Sequence, residues 1–246
     1  MYTSLLTILL AASFGSARTI TVKNSCKDTI WPAMFTQDPS QAPKHPTGWV
    51  QKPGEVVSFA VPDVWKAARI WGRTHCNADG TGCKSGDCGD LECKAGVTGK
   101  PPSSLAEFTL QTTGGPDNYD VSLVDGFNLP VSIKPSRADC PAPKCVKDLN
   151  PGCPAELKPK DGGDGCLSQC QVDALAGHAD NNPNCCSGIH DKPETCPKSG
   201  VKYYDYFKNG CHDAYAYAYD EKSESALWTC DGSKGLSDYT VEFCPS

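Results

Sequence analysis

The sequence lacks the features that would send it to several large functional classes. No stretch approaches the roughly 18 apolar residues that cross a bilayer, so stable membrane insertion is not expected. Lys and Arg form no cluster, and the formal net charge is −6 at pH 7. A chain of that sign is not drawn to a nucleic-acid backbone or an anionic lipid surface, so neither is expected as a partner. There is no Gly-x-Ser-x-Gly, no phosphate-binding loop and no ordinary Asn-x-Ser/Thr acceptor. No Cys-x-x-Cys pair appears, and the 5 histidines are scattered without paired spacing. Neither a metal nor a cofactor is therefore expected. With 39% hydrophobic residues, 23 Gly and 20 Pro, a long helical bundle is excluded as well.

What the chain does have is sulfur. Sixteen of its 246 residues are cysteine. Leu5 to Ala12 is a short apolar run, and the small residues Gly15 and Ala17 fit a peptidase site. Residues 1–17 accordingly read as a signal peptide cleaved after Ala17. In an oxidising compartment an even cysteine set implies eight disulfides, although spacing alone leaves the pairing open. The protein is expected to be secreted, to the extracellular space or cell wall, and monomeric.

Strand signals dominate the remainder. Thr19 to Asn24 alternates, and Val56 to Val61, Arg69 to Trp71, Leu105 to Leu110, Tyr119 to Val124 and Tyr239 to Phe243 follow, with Gly, Pro, Asn or Asp between them. Ala214 to Tyr219 also alternates and reads as a strand with Tyr215, Tyr217 and Tyr219 on one face. Many short strands with turns between them predict a mainly β chain folded as a β-sandwich. Residues 74–102 have four cysteines and almost no periodicity, so they form a small stapled loop. Residues 147–211 have seven cysteines and one helix candidate, Cys166 to His178.

The hairpin from Leu105 to Val124 places two acids together. Ala106, Phe108 and Leu110 share one face of its first strand; Tyr119, Val121 and Leu123 share one face of its second. Both sets must face the core, because a one-residue slip would expose one of them. That register puts Glu107 and Asp120 side by side on the opposite face. Like charges there repel by roughly 3 kcal/mol at an effective dielectric of 20 and about 6 Å. Raising one carboxyl while its neighbour stays ionised is what cleavage of a glycosidic bond requires.

Longer phrases carry a resemblance. Trp71-Gly72-Arg73-Thr74-His75-Cys76, Cys83 to Cys88, Pro101 to Phe108, Tyr119 to Asn128, Asn209 to Tyr215 and Val241 to Pro245 together resemble thaumatin-like proteins, a family of plant pathogenesis-related proteins and fungal homologues. The resemblance implies the bridges Cys26–Cys244, Cys76–Cys83, Cys88–Cys93, Cys140–Cys230, Cys145–Cys211, Cys153–Cys166, Cys170–Cys185 and Cys186–Cys196. It also implies a β-sandwich domain I (residues 18–73, 103–146 and 212–246), a disulfide-rich, partly helical domain II (147–211) and a small disulfide loop domain III (74–102). The family's acidic cleft contains an arginine, a glutamate and three aspartates. Glu107, Asp120, Asp125 and Asp213 match the acids, and the arginine position falls on Lys100, which keeps the charge but not the bidentate fork. The implied function is binding of β-1,3-glucan or fungal cell-wall polysaccharide. Endo-β-1,3-glucanase activity would use Glu107 as proton donor and Asp120 or Asp125 to activate water or stabilise charge, with Lys100 and Asp213 binding substrate. A non-catalytic glucan-binding antifungal, defence or wall protein is the alternative.

Overall fold

A computed structural model describes residues 18–246, so the proposed signal peptide lies outside the described residues. Two sheets face one another. The first has the order β3 (Val56–Val61), β1 (Arg18–Asn24), β11 (Tyr239–Phe243), β7 (Val131–Pro135) and β8 (Lys144–Cys145). The second has the order β10 (Trp228–Cys230), β6 (Asp117–Ser122), β5 (Leu105–Leu110), β4 (Trp65–Arg73) and β2 (Trp31–Thr36), with the short β9 (Ala214–Tyr215) pairing β6. Alternation decides which face is inside. Ile20 and Val22 of β1 are buried against Phe108, Tyr119 and Val121 of the other sheet in one apolar cluster.

Polar groups also cross this interface. Arg18 and Asp117 lie on the core faces of opposite sheets, form a buried ion pair and are almost wholly excluded from solvent. The Tyr239 hydroxyl donates to the same Asp117 oxygen at 2.6 Å, and the Gln111 amide donates to the other at 2.9 Å. Burial beside that carboxylate pushes the Tyr239 hydroxyl far up. Arg18 and Tyr239 come from one sheet and Asp117 from the other, so these two contacts form only in the assembled sandwich.

A β-bulge in β4 controls what the second sheet shows outside. Strict alternation from the buried Trp65 would turn Arg69 and Trp71 inward. The pairing with β5 shifts between Trp65 and Ala68, and Ala67 takes a positive φ of 46°. Trp65, Ala68 and Ile70 then share the core face, and Arg69, Trp71 and Arg73 point the other way. Bulges commonly re-aim side chains in this manner. Arg73 becomes the centre of the 74–102 loop, donating to the carbonyls of Asp90 and Leu91 at 2.7 Å each and of Trp31 at 2.9 Å. Its guanidinium has no carboxylate in contact, and burial pulls its pKa down to about 10.

Eight disulfides close the chain: Cys26–Cys244, Cys76–Cys83, Cys88–Cys93, Cys140–Cys230, Cys145–Cys211, Cys153–Cys166, Cys170–Cys185 and Cys186–Cys196. The helix expected at Cys166 to His178 is shorter, α1 (Gln169–Leu175). Ser168 caps its start, and Gly177, with a φ of 77°, turns the chain away at its end. A second short helix, α2 (Tyr204–Gly210), follows. The strand expected over Ala214 to Tyr219 stops after Tyr215. There the buried Asp220 carboxylate accepts the Ala216 amide at 3.0 Å and pulls the chain into a turn. Tyr217 consequently packs edge-on against Tyr204, and the Tyr219 hydroxyl reaches the Asp191 carbonyl.

Removing one member of a buried ion pair costs about 3–5 kcal/mol, because its partner is left uncompensated. Asp117→Ala is expected to lower the melting temperature by roughly 2–4 °C for each kcal/mol lost. The check is thermal unfolding of the oxidised protein; a shift equivalent to less than about 1 kcal/mol would show that the sheets do not depend on this contact.

Candidate functional site

The outer face of the second sheet carries a row of three charges. β4 pairs β5 with Arg69 opposite Glu107, and β5 pairs β6 with Glu107 opposite Asp120. The burial of Phe108 and Tyr119 on the inner face locks that register, and the β4 bulge adds Arg69 to the same side. Directly opposed residues have Cβ atoms about 5 Å apart. The Arg69 Nε lies 2.6 Å from Glu107 Oε1, and the Ser122 side chain on β6 also favours the ionised form of Glu107.

The banks of the site come from loops. After β6 the chain turns through Leu123–Gly126, closed by the Gly126 amide donating to the Leu123 carbonyl at 2.8 Å. Gly126 has a φ of 94°, and a Cβ there would meet the Cys166 carbonyl oxygen at 2.3 Å, so only glycine fits. The turn therefore lies tight against the start of α1, where Gln171 Nε2 donates to Asp125 Oδ1 at 2.8 Å. Opposite, β9 brings Tyr215, whose hydroxyl donates to Glu221 at 3.2 Å. Glu221 stands on a single-turn helix, Asp220–Ser223. That turn is anchored from below by Lys208 Nζ and the Tyr204 hydroxyl on Asp220, at 3.0 and 2.8 Å. Arg69, Glu107, Asp120, Asp125, Tyr215 and Glu221 line one recess of about 400 Å³.

The two central carboxyls differ in environment. Asp120 is held well above the usual carboxylate range, first by burial, then by the charges of Glu107 and Glu221, with Arg69 opposing. Its Oδ1 is buried without a hydrogen-bond partner. Glu107 is also raised by burial, but Arg69 and Ser122 pull it back towards ionisation. About a quarter of its side-chain surface remains open at the recess, although its carboxyl is deeply packed. Of the pair, Asp120 holds its proton more strongly. Asp125 is raised by burial, with Arg69 and Gln171 opposing.

Two expected residues fall elsewhere. Lys100 does not line this recess; it borders another, and the cation on Glu107 is Arg69. The reason is the bulge, which turns Arg69 outward, and the fixing of Lys100 by backbone hydrogen bonds to Asp87 and Gly86. Asp213 is not among the lining residues either. Its carboxylate lies 3.2 Å from His212 Nδ1, and its carbonyl accepts the Trp228 indole at 3.0 Å. Arg69 and Glu221 were not singled out by the sequence reading. Arg69 could have been found by noting that Ile70 belongs to the core, which sends its neighbour to the side of Glu107. Glu221 sits where no periodicity exists. Among the described residues, no group of three or more His, Cys, Asp or Glu side chains is arranged to hold a metal.

Residues 24–245 match the sequence model of the thaumatin family. The chain is 42% identical to pathogenesis-related protein 5 of Arabidopsis thaliana, an alignment covering 93% of this chain and 91% of that protein. It is 40% identical to a protein of Prunus avium named glucan endo-1,3-beta-glucosidase, over 98% of this chain and 95% of the other. Among solved structures it shares a fold with the family 64 laminaripentaose-producing β-1,3-glucanase of Paenibacillus barengoltzii, at a TM-score of 0.60 and 12% identity, covering 94% of this chain and 75% of that one.

A carboxyl whose pKa rises on folding gives stability that is complete below its unfolded value and is lost as pH rises through its folded value. Asp120 should therefore weaken the fold as pH climbs from about 3.8 towards neutrality. Asp120→Asn is expected to raise the melting temperature at pH 7, by roughly 2–4 °C per kcal/mol recovered. The gain should shrink steadily as the solution is acidified. A destabilised variant at pH 7, or a gain independent of pH, would show that Asp120 is not buried as an acid.

Proposed function

The chain belongs to the thaumatin family, and we propose that its acidic recess binds β-1,3-glucan and hydrolyses it. The observation that carries this reading is the pairing of Glu107 with Asp120 on adjacent strands, with Arg69 contacting Glu107 alone. Two carboxyls whose environments push them apart divide into an acid and a base. The full-length similarity to a protein named as a glucan endo-1,3-beta-glucosidase supplies the substrate class.

The geometry favours roles opposite to those expected from the sequence. Asp120, held protonated, donates to the glycosidic oxygen as the C1–O bond breaks. Glu107, kept ionised by Arg69 and Ser122, faces the positive charge that develops at C1. Their direct opposition favours the short carboxyl spacing of a retaining route, in which Glu107 bonds C1 and water then releases it. Asp125, anchored by Gln171, contributes negative charge from the turn side and substrate contacts. Lys100 and Asp213 are left to bind sugar units beyond the reacting bond. The three-domain division fits this scheme, with the sheet of domain I as floor and domain II supplying the Gln171 bank. Secretion, through residues 1–17, would deliver the protein to glucan-walled cells in a defence role.

A second reading, binding without turnover, is favoured by one contact. The Arg69–Glu107 ion pair already occupies one Glu107 oxygen, which suits a groove that only holds polysaccharide. Reducing-sugar release from a linear β-1,3-glucan separates the two. The wild type is expected to release sugar, and Asp120→Asn and Glu107→Gln each to lose about 10²–10⁴-fold while still sedimenting with insoluble glucan. Sedimentation without release by the wild type would establish the binding reading; failure to do either would remove glucan as the ligand.

A further inference from the structure

A second recess, of about 680 Å³, opens on the far side of Gln171. One wall comes from the 74–102 loop, through Lys84–Asp87 and Lys100–Pro102. The other comes from residues 156–161 and the face of α1. Its platform is apolar: Pro101, Pro102, Leu167, Val172, Leu175 and Ala176. Leu175 is 77% exposed there, unusual for a large apolar side chain fixed on a helix. The rim alternates in sign, with Lys84, Lys100, Lys158 and Lys160 set among Asp87, Glu156 and Asp161.

Both walls are held in place before any ligand arrives. The Asp164 amide donates to the Lys84 carbonyl at 2.9 Å, and the Asp164 carboxylate accepts the Thr74 hydroxyl at 3.0 Å, so the two walls are tied together. Cys76–Cys83 staples one side, and Cys153–Cys166 and Cys170–Cys185 staple the other. A preformed apolar concavity with a few polar groups at its edge is the ordinary form of a small-ligand site, and rigidity lowers the entropic cost of binding.

The connection to the acidic recess is a single hydrogen bond. Asp125 lines the acidic recess, Gln171 lines this one, and Gln171 Nε2 donates to Asp125 Oδ1 at 2.8 Å. We infer that the two recesses form one extended glucan groove, the second taking further neutral sugar units of a chain whose reacting end lies over Asp120. This inference rests on the glucan reading of the acidic recess. The interleaved charges of the rim create no uniform field for a polyanion. They do offer donors and acceptors around an apolar platform, which matches a neutral sugar with a C–H face and an equatorial belt of hydroxyls. The platform also gives Leu175 its role, and it gives Lys100 a place in binding well away from the reacting bond.

The test is calorimetric titration with a dimer and a hexamer of β-1,3-linked glucose. It uses the wild type, Leu175→Asp and the double variant Lys100→Ala/Lys158→Ala, all at exposed positions outside the core. In the wild type the hexamer is expected to bind about tenfold or more tightly than the dimer, and Leu175→Asp to remove most of that advantage at an unchanged melting temperature. The double variant should lose part of it. Equal hexamer affinity in all three proteins would overturn the second recess and leave the acidic recess standing. A wild type that bound neither oligomer would overturn the glucan reading, and this inference with it.

Discussion

The site depends on the register between β5 and β6. Phe108 and Tyr119 are opposite one another and buried, so neither strand can slip without turning a large aromatic ring into water. The same constraint forces Glu107 and Asp120 together on the outer face. Their repulsion is therefore imposed by core packing, which supplies far more free energy than one carboxylate pair opposes. A site that strains the sheet can persist because the strain lies on one face and the stabilising burial lies on the other.

Around that fixed pair, the irregular segments set the electrostatic environment. The β4 bulge brings Arg69 against Glu107 and leaves Asp120 without a cation in contact. The Gly126 turn presses Asp125 against α1, and the buried Asp220 anchor carries Glu221 to the opposite bank. Disulfides matter most in these places, since neither the α1 region nor the 74–102 loop has regular structure enough to hold its own shape. Arg73 does for the loop what sulfur cannot, gathering several carbonyls around one buried cation.

Most of the sheet architecture was legible in the sequence because period-two alternation reports directly on burial. The strands containing Ile20, Phe59, Phe108, Tyr119 and Val241 are all found by it. The alternation of Tyr215, Tyr217 and Tyr219 misled for the same reason: a hydrogen bond from the Ala216 amide to the Asp220 carboxylate overrode the pattern, and no pattern encodes that. The acidic pair was legible, since it follows from two core faces. Its cation was harder to read: alternation counted from Trp65 across the bulge turns Arg69 inward, and only the apolar Ile70 beside it marks the true side. Lys100, chosen by resemblance to a phrase beside Pro101, shows the limit of matching residues by local sequence when the contact is made across strands. The division of proton between Glu107 and Asp120 was likewise hidden, because it turns on which of them Arg69 touches.

That division is the central claim, and carboxyl carbon NMR with labelled Asp and Glu measures it directly. Titrating the wild type beside Asp120→Asn and Glu107→Gln assigns the two resonances. The account predicts coupled titration in which Asp120 keeps its proton to a higher pH than Glu107, and in which Glu107→Gln lowers the midpoint of Asp120 while Asp120→Asn leaves that of Glu107 nearly unmoved. If Glu107 is instead the last of the pair to ionise, or if each titrates as though the other were absent, the assignment of acid and base made from this geometry is contradicted.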